Sequence, residues 1–184
     1  MNNKFIFCLE AVDDVEIQGN ENTINNLEQL AWDTGIDSIY QTCDTIEGLE
    51  DSLNALIYAD DNFKGYEIIY LVMPGEENSI CINDYYYSLE EIAEVFEGKL
   101  KGKILHFANA KILDLTPDES QYFLDITGAK AISGYGELNS IASAALDKAF
   151  FTLCQDEDDV TEVVEELHRK HYALCKILDF RLYY

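Results

Sequence analysis

Five short strand-like segments, separated by stretches of helical periodicity, constrain this chain more than any other feature. Phe5-Ile6-Phe7-Cys8-Leu9 lies in the first, Lys4–Glu10; Ser38–Cys43 is the second, and Tyr66–Met73 (YEIIYLVM) is the third and strongest. Lys103–Phe107 (KILHF) and Ala129–Ser133 complete the set. A run that is apolar throughout, rather than at alternate positions, marks a strand covered on both faces. Between the runs, Ile24, Leu27, Leu30 and Ala31 fall at helical spacing, and so do Leu49, Leu53, Leu56 and Ile57. Strands alternating with helices make a parallel sheet, because a parallel neighbour needs a crossover long enough to hold a helix. The expected fold class is therefore α/β, a three-layer α/β/α sandwich with a mostly parallel central sheet. One domain over residues 1–184 suffices.

Local signals place the boundaries. Thr23 reads as the N-cap of the first helix and Gly35 as its stop, and Asp44 or Thr45 caps the second. Pro74-Gly75 ends the third strand. Ser79–Asn83 and Tyr85–Tyr87 read as a hairpin with Asn83-Asp84 near its tip. Ser88 with Glu91 three residues on is a capping box, and Thr116 before Pro117 opens a helix that Gly128 stops. Helical patterns fill 139–154 and 160–178, joined by the acidic run Asp156–Asp159. The third and fourth strands are expected to be parallel neighbours, with the hairpin and the Ser88 helix in their crossover. The tail Phe180–Tyr184 either packs back on the domain or docks on a second chain.

Composition narrows the class. A hydrophobic share of 48% with 12 tyrosines supplies a core. No run of 18 apolar residues reaches a membrane-spanning length. The first apolar run meets Glu10, Asp13 and Asp14 with no small-residue cleavage site, so a cytoplasmic location is expected. Five scattered cysteines without a CxxC pair do not form a disulfide framework or a zinc site. Net charge is −24, and residues 1–98 hold 22 acids against Lys4 and Lys64 alone. Such a field repels nucleic acid and anionic membrane and favours a basic protein partner. Plain solubility and mimicry of nucleic acid are the alternatives.

In an open α/β sheet, sites gather at the carboxyl ends of the strands. The loops there are Glu10–Asp13, Met73–Glu77, Ala108–Lys111 and Gly134–Glu137. The third strand, the hairpin, "YSLEEIAEVFEGKLKGKILHF" and "FLDITGAKAISGY" together resemble small bacterial proteins of the caspase-like, CHAT-related fold over residues 4–136. That resemblance implies a caspase-like topology. It also implies a His-Gly after the third strand and a cysteine nucleophile after the fourth, activated by that histidine. This chain departs from the pattern at both places: the histidine position reads Pro74 and the nucleophile position Ala110. The resemblance then implies a pseudo-peptidase that binds a protein partner.

The binding candidates are Asp13, Asp14, Glu76, Glu77, Asn109 and Tyr135. No cofactor and no metal is expected. An active hydrolase using Cys81 with His106 remains the competing enzyme reading, although His106 lies within a strand and points into the packing layers. Glu165, His168 and His171 could share a helix face as half of a metal site, but ordinary surface placement is the simpler reading. The segment from Asp14 faintly echoes a calcium loop, yet its twelfth position is Asn25 rather than Glu. GxGxxG, phosphate-loop, HExxH and GxSxG motifs are absent.

Overall fold

The computed structural model describes residues 4–13, 21–59, 63–108 and 113–184. The apolar runs form strands β1 (Phe5–Ala11), β2 (Ser38–Cys43) and β3 (Tyr66–Val72). A hairpin of β4 (Ser79–Ile82) and β5 (Tyr85–Ser88) follows, then β6 (Ile104–Phe107), β7 (Ala131–Tyr135) and β8 (Phe180–Tyr183). The helices are α1 (Glu21–Thr34), α2 (Ile46–Ala59), α3 (Leu89–Val95), α4 (Pro117–Thr127), α5 (Ser140–Asp156) and α6 (Val160–Leu178).

Six strands pair in the order β2-β1-β3-β6-β7-β8. All neighbours are parallel except β7 and β8. As the third and fourth runs were expected to do, β3 and β6 lie side by side, with Ile68 through Leu71 opposite Ile104 through Phe107. These central strands are covered on both faces, which is why their sequences carry almost no alternation. Leu49, Leu53, Ile92, Ala93 and Phe123 of α2–α4 pack one face of the sheet. Leu30, Leu146, Phe150, Val163 and Leu167 of α1, α5 and α6 pack the other. The result is a mixed α/β sandwich of three layers.

Most local signals act as the sequence implies. Asn83 and Asp84 take φ of 49° and 65°, and two positive values suit the twist of a tight hairpin. Ser88 and Thr116 both form complete capping boxes, Pro117 starts α4, and Gly128 ends it at φ 74°. The Thr45 hydroxyl accepts the Gly48 N–H at 3.0 Å, so Thr45 rather than Asp44 opens α2.

Three expectations need correction. Helix α1 already begins at Glu21; Thr23 lies inside it and donates its hydroxyl to Glu10 Oε1 at 3.1 Å. The fifth run forms its strand two residues later, at Ala131–Tyr135. The aromatic tail does pack back, but as a strand: Phe180–Tyr183 adds β8 antiparallel to β7. Two helices rather than one lie between β7 and β8, so the chain re-enters the sheet in the opposite direction. Asp179 ends α6 in the left-handed conformation at φ 49° where it turns into the strand.

Two buried lysines tie the amino end of the sheet. Lys4 Nζ donates to the Cys154 carbonyl at 2.7 Å and to Asp158 Oδ1 at 2.6 Å. Lys103 Nζ donates to the Phe63 carbonyl at 2.7 Å and stands 4.3 Å from that residue's ring centroid.

Candidate functional site

The parallel register of β3 and β6 carries their two loops out of the sheet side by side. Leu71 pairs with Phe107, and the Ala108 N–H donates to the Leu71 carbonyl at 2.8 Å. Pro74 is exposed just beyond, and its carbonyl accepts the Cys81 N–H at 2.7 Å, which fixes the loop to the base of the hairpin. Asn109 and Ala110, and likewise Asp14, lie outside the described residues.

A polar row crosses the same end of the sheet. Cys8, Tyr70, His106 and Ser133 are register partners on four successive parallel strands. His106 is fully buried; its Nδ1 lies 2.8 Å from Ser133 Oγ and its Nε2 lies 2.7 Å from Asp147 Oδ1 on α5. Asp147 also accepts the Tyr70 hydroxyl at 2.6 Å and the hydroxyl of Tyr135. Burial, reinforced by the Asp147 charge, pushes both phenols well above the ordinary tyrosine range. Burial likewise drives the Cys8 thiol well up, helped by Glu10 and Asp147. Glu10 extends the row, accepting the Tyr40 hydroxyl at 2.5 Å.

These contacts decide what His106 can do. Both ring nitrogens are engaged, and Phe150 and Phe151 close over the ring at centroid distances of 5.1 and 5.3 Å. The hairpin that carries Cys81 contributes Ile80 and Ile82 to the core on the opposite face of the sheet. The sheet therefore separates Cys81 from His106. Tyr135 also needs correction: expected in an exposed loop, it closes β7 with 0% exposure, so no ligand reaches it.

The acidic candidates lie elsewhere. Asp13, Glu76 and Glu77 are exposed at the carboxyl edge. Glu77 lines a groove of about 450 Å³, together with Glu90, Asp118 and Glu119 from the starts of α3 and α4. Its apolar walls are Leu89, Leu115, Tyr122 and Phe123, and among the described residues no lysine or arginine lines it. The two sides are clamped: Asn78 Nδ2 donates to the Asp114 carbonyl at 2.9 Å, and its Oδ1 accepts the Asp114 N–H at 2.7 Å. The Thr116 backbone and hydroxyl donate to Glu119 and hold its carboxyl below the usual range. Asp13 and Glu76 do not line the groove.

Sequence reasoning missed Glu90 and Asp118 because neither adjoins Glu77 in the chain. The available signal was the pair of capping boxes, each placing acids on the first turn of a helix that faces the same loop. Among the described residues, no group of three His, Cys, Asp or Glu side chains could hold a metal ion, Glu165, His168 and His171 included. The His168 ring nitrogen Nδ1 contacts the Val164 carbonyl at 3.0 Å, while His171 breaks the helical geometry at φ −128°. Among the described residues, no helix is long and apolar enough to cross a membrane.

A model described as a family of unknown function (DUF6642) matches residues 3–184. No curated protein matches the chain.

Proposed function

This chain belongs to the DUF6642 family, and we propose that it is a catalytically inactive, caspase-like domain of the cytoplasm that binds a basic protein partner. The observation that carries this reading is the acidic carboxyl edge, where Asp13, Glu76 and Glu77 are exposed and a groove carries four carboxylates and, among the described residues, no lysine or arginine. The position is where open α/β sheets keep their ligands. A field of −24 lengthens the reach of that edge toward a positive partner.

The sheet order and the hairpin after the third strand support the caspase-like resemblance. A peptidase of that kind needs a thiol and an imidazole within hydrogen-bond reach. Pro74 supplies no base, and His106 is held by Ser133 and Asp147 on the far side of the sheet from Cys81. What the edge retains is charge and shape.

The test has two arms. Native protein is offered fluorogenic peptides and a thiol-reactive peptidyl probe, and neither turnover nor selective labelling is expected. Polylysine is then titrated in and followed by NMR; shifts should gather at Asp13, Glu76 and Glu77 and fade with salt. Peptide cleavage that disappears in Cys81→Ala would overturn the reading, as would polylysine shifts confined to the α5–α6 layer.

A further inference from the structure

We infer that the groove between the hairpin base and α4 receives an arginine side chain from an extended segment of the partner. This rests on the binding reading above and narrows it to one pocket and one side-chain chemistry.

Charge comes first. The ends of α3 and α4 that meet at the groove already have their capping needs met, since Ser88 with Glu91 and Thr116 with Glu119 close both boxes. Helix N-termini favour anions, but here the protein's own carboxylates fill that role. Glu90 and Asp118 remain beyond the capping requirement, and Glu77 from the loop lines the same groove. Among the described residues, none of these three takes part in an ion pair. A cation that enters the groove meets three carboxylates on its lining.

Shape then selects the cation. About 450 Å³ is more room than a bare ion needs and falls within the range of organic-ligand pockets. Leu89, Leu115 and Phe123 offer an apolar wall for methylene groups, as long cationic side chains prefer. Tyr122 is 40% exposed and lines the groove, and an aromatic ring is a favourable neighbour for a guanidinium. The three carboxylates come from three different segments, and a planar fork with five donors can reach more than one of them. A lysine offers a point charge and less of that match.

The experiment uses a fluorescently labelled hexapeptide amide with one arginine flanked by leucines, read by polarisation. Replacing arginine by citrulline keeps the shape and removes the charge; affinity should fall about tenfold or more. Lysine in its place should bind more weakly than arginine. Glu90→Gln with Asp118→Asn should cost a similar factor, with the fold checked by circular dichroism. Tyr122→Ala, at a half-exposed position, should cost severalfold without threatening the core.

A control variant, Glu28→Gln with Asp156→Asn, removes two exposed acids from the opposite layer. It should leave affinity unchanged; if it weakens binding as much as the groove variant, net charge and not the groove is recognised, and the inference fails. Wild-type protein that ignores the arginine peptide, yet still shows polylysine shifts at Asp13 and Glu76, also overturns the groove while leaving the binding reading intact. Absence of both signals overturns both.

Discussion

Asp147 on α5 lies 2.7 Å from the imidazole of His106 on β6, although 41 residues separate them in the chain. Around that contact Ser133, Tyr70 and Tyr135 complete a buried polar cluster. Among the described residues, no buried side-chain nitrogen or oxygen lacks a partner. Satisfaction is what makes such a cluster tolerable in a core, and removing its shared acceptor exposes the penalty.

Asp147→Ala should therefore be strongly destabilising. It strands the Tyr70 and Tyr135 hydroxyls and one nitrogen of His106 in an apolar layer, at a cost of about 3 kcal/mol or more. Urea unfolding measures this directly. A loss under about 1 kcal/mol would mean that water replaces the carboxylate.

The raised phenols of Tyr70 and Tyr135 set an alkaline limit on stability. Each loses its proton near 10 in the unfolded chain but much higher when folded, because burial first and Asp147 second oppose the phenolate. The unfolded state thus releases protons first as pH rises. The stability these groups confer is complete below about pH 10 and falls as pH climbs through that value toward the folded pKa. Ultraviolet titration should show a tyrosine fraction that ionises only with unfolding. Tyr70→Phe and Tyr135→Phe should each shrink that fraction.

Gly134 and Gly136 frame the end of β7 and resist even one methyl group. A Cβ at Gly134 would come 2.8 Å from Leu113 Cδ1, the far end of a flexible side chain. At Gly136 it would collide with the Asp179 carboxylate, with Asp179 Cγ only 2.9 Å away. Asp179 is tethered by Arg181 Nη2 at 2.6 Å and holds the turn into β8, so it cannot yield freely. Gly136→Ala should cost about 2 kcal/mol and raise hydrogen exchange in β8, whereas Gly134→Ala should cost less. Equal costs would contradict this ordering.

Charge crowding predicts salt stabilisation. Residues 1–98 hold 22 acids and two lysines, and screening at ~0.15 M salt acts over about 8 Å. Melting temperature should rise between low and moderate salt in a calorimetric scan. A flat response would show that the acids already stand too far apart to interact.

Much of the architecture followed from local pattern. Tyr66–Val72 is a strand because it is apolar at every position except Glu67 and bounded by Gly65 and Pro74. Ser88 and Thr116 cap helices because an acid sits three residues on from each. Such signals act within a few residues, so a linear reading catches them. The burial of His106 was legible too, since it sits inside a strand.

The partners of that histidine were not. Ser133 and Asp147 meet it only because β7 lies beside β6 and α5 packs across them. The same limit hid the groove, whose acids at positions 77, 90 and 118 come together when α3 and α4 pack beneath the hairpin. It also misplaced Tyr135, a residue in a Gly-Tyr-Gly loop by sequence and a fully buried strand end by structure. The amino-acid sequence alone determined most of the helices and the approximate place of the five main strands, because side-chain periodicity, caps and turn signals are properties of neighbours along the chain. That the tail is a strand depended on its pairing with β7. Tertiary structure alone decided which polar groups are sealed and which face solvent, because that depends on packing between segments tens of residues apart.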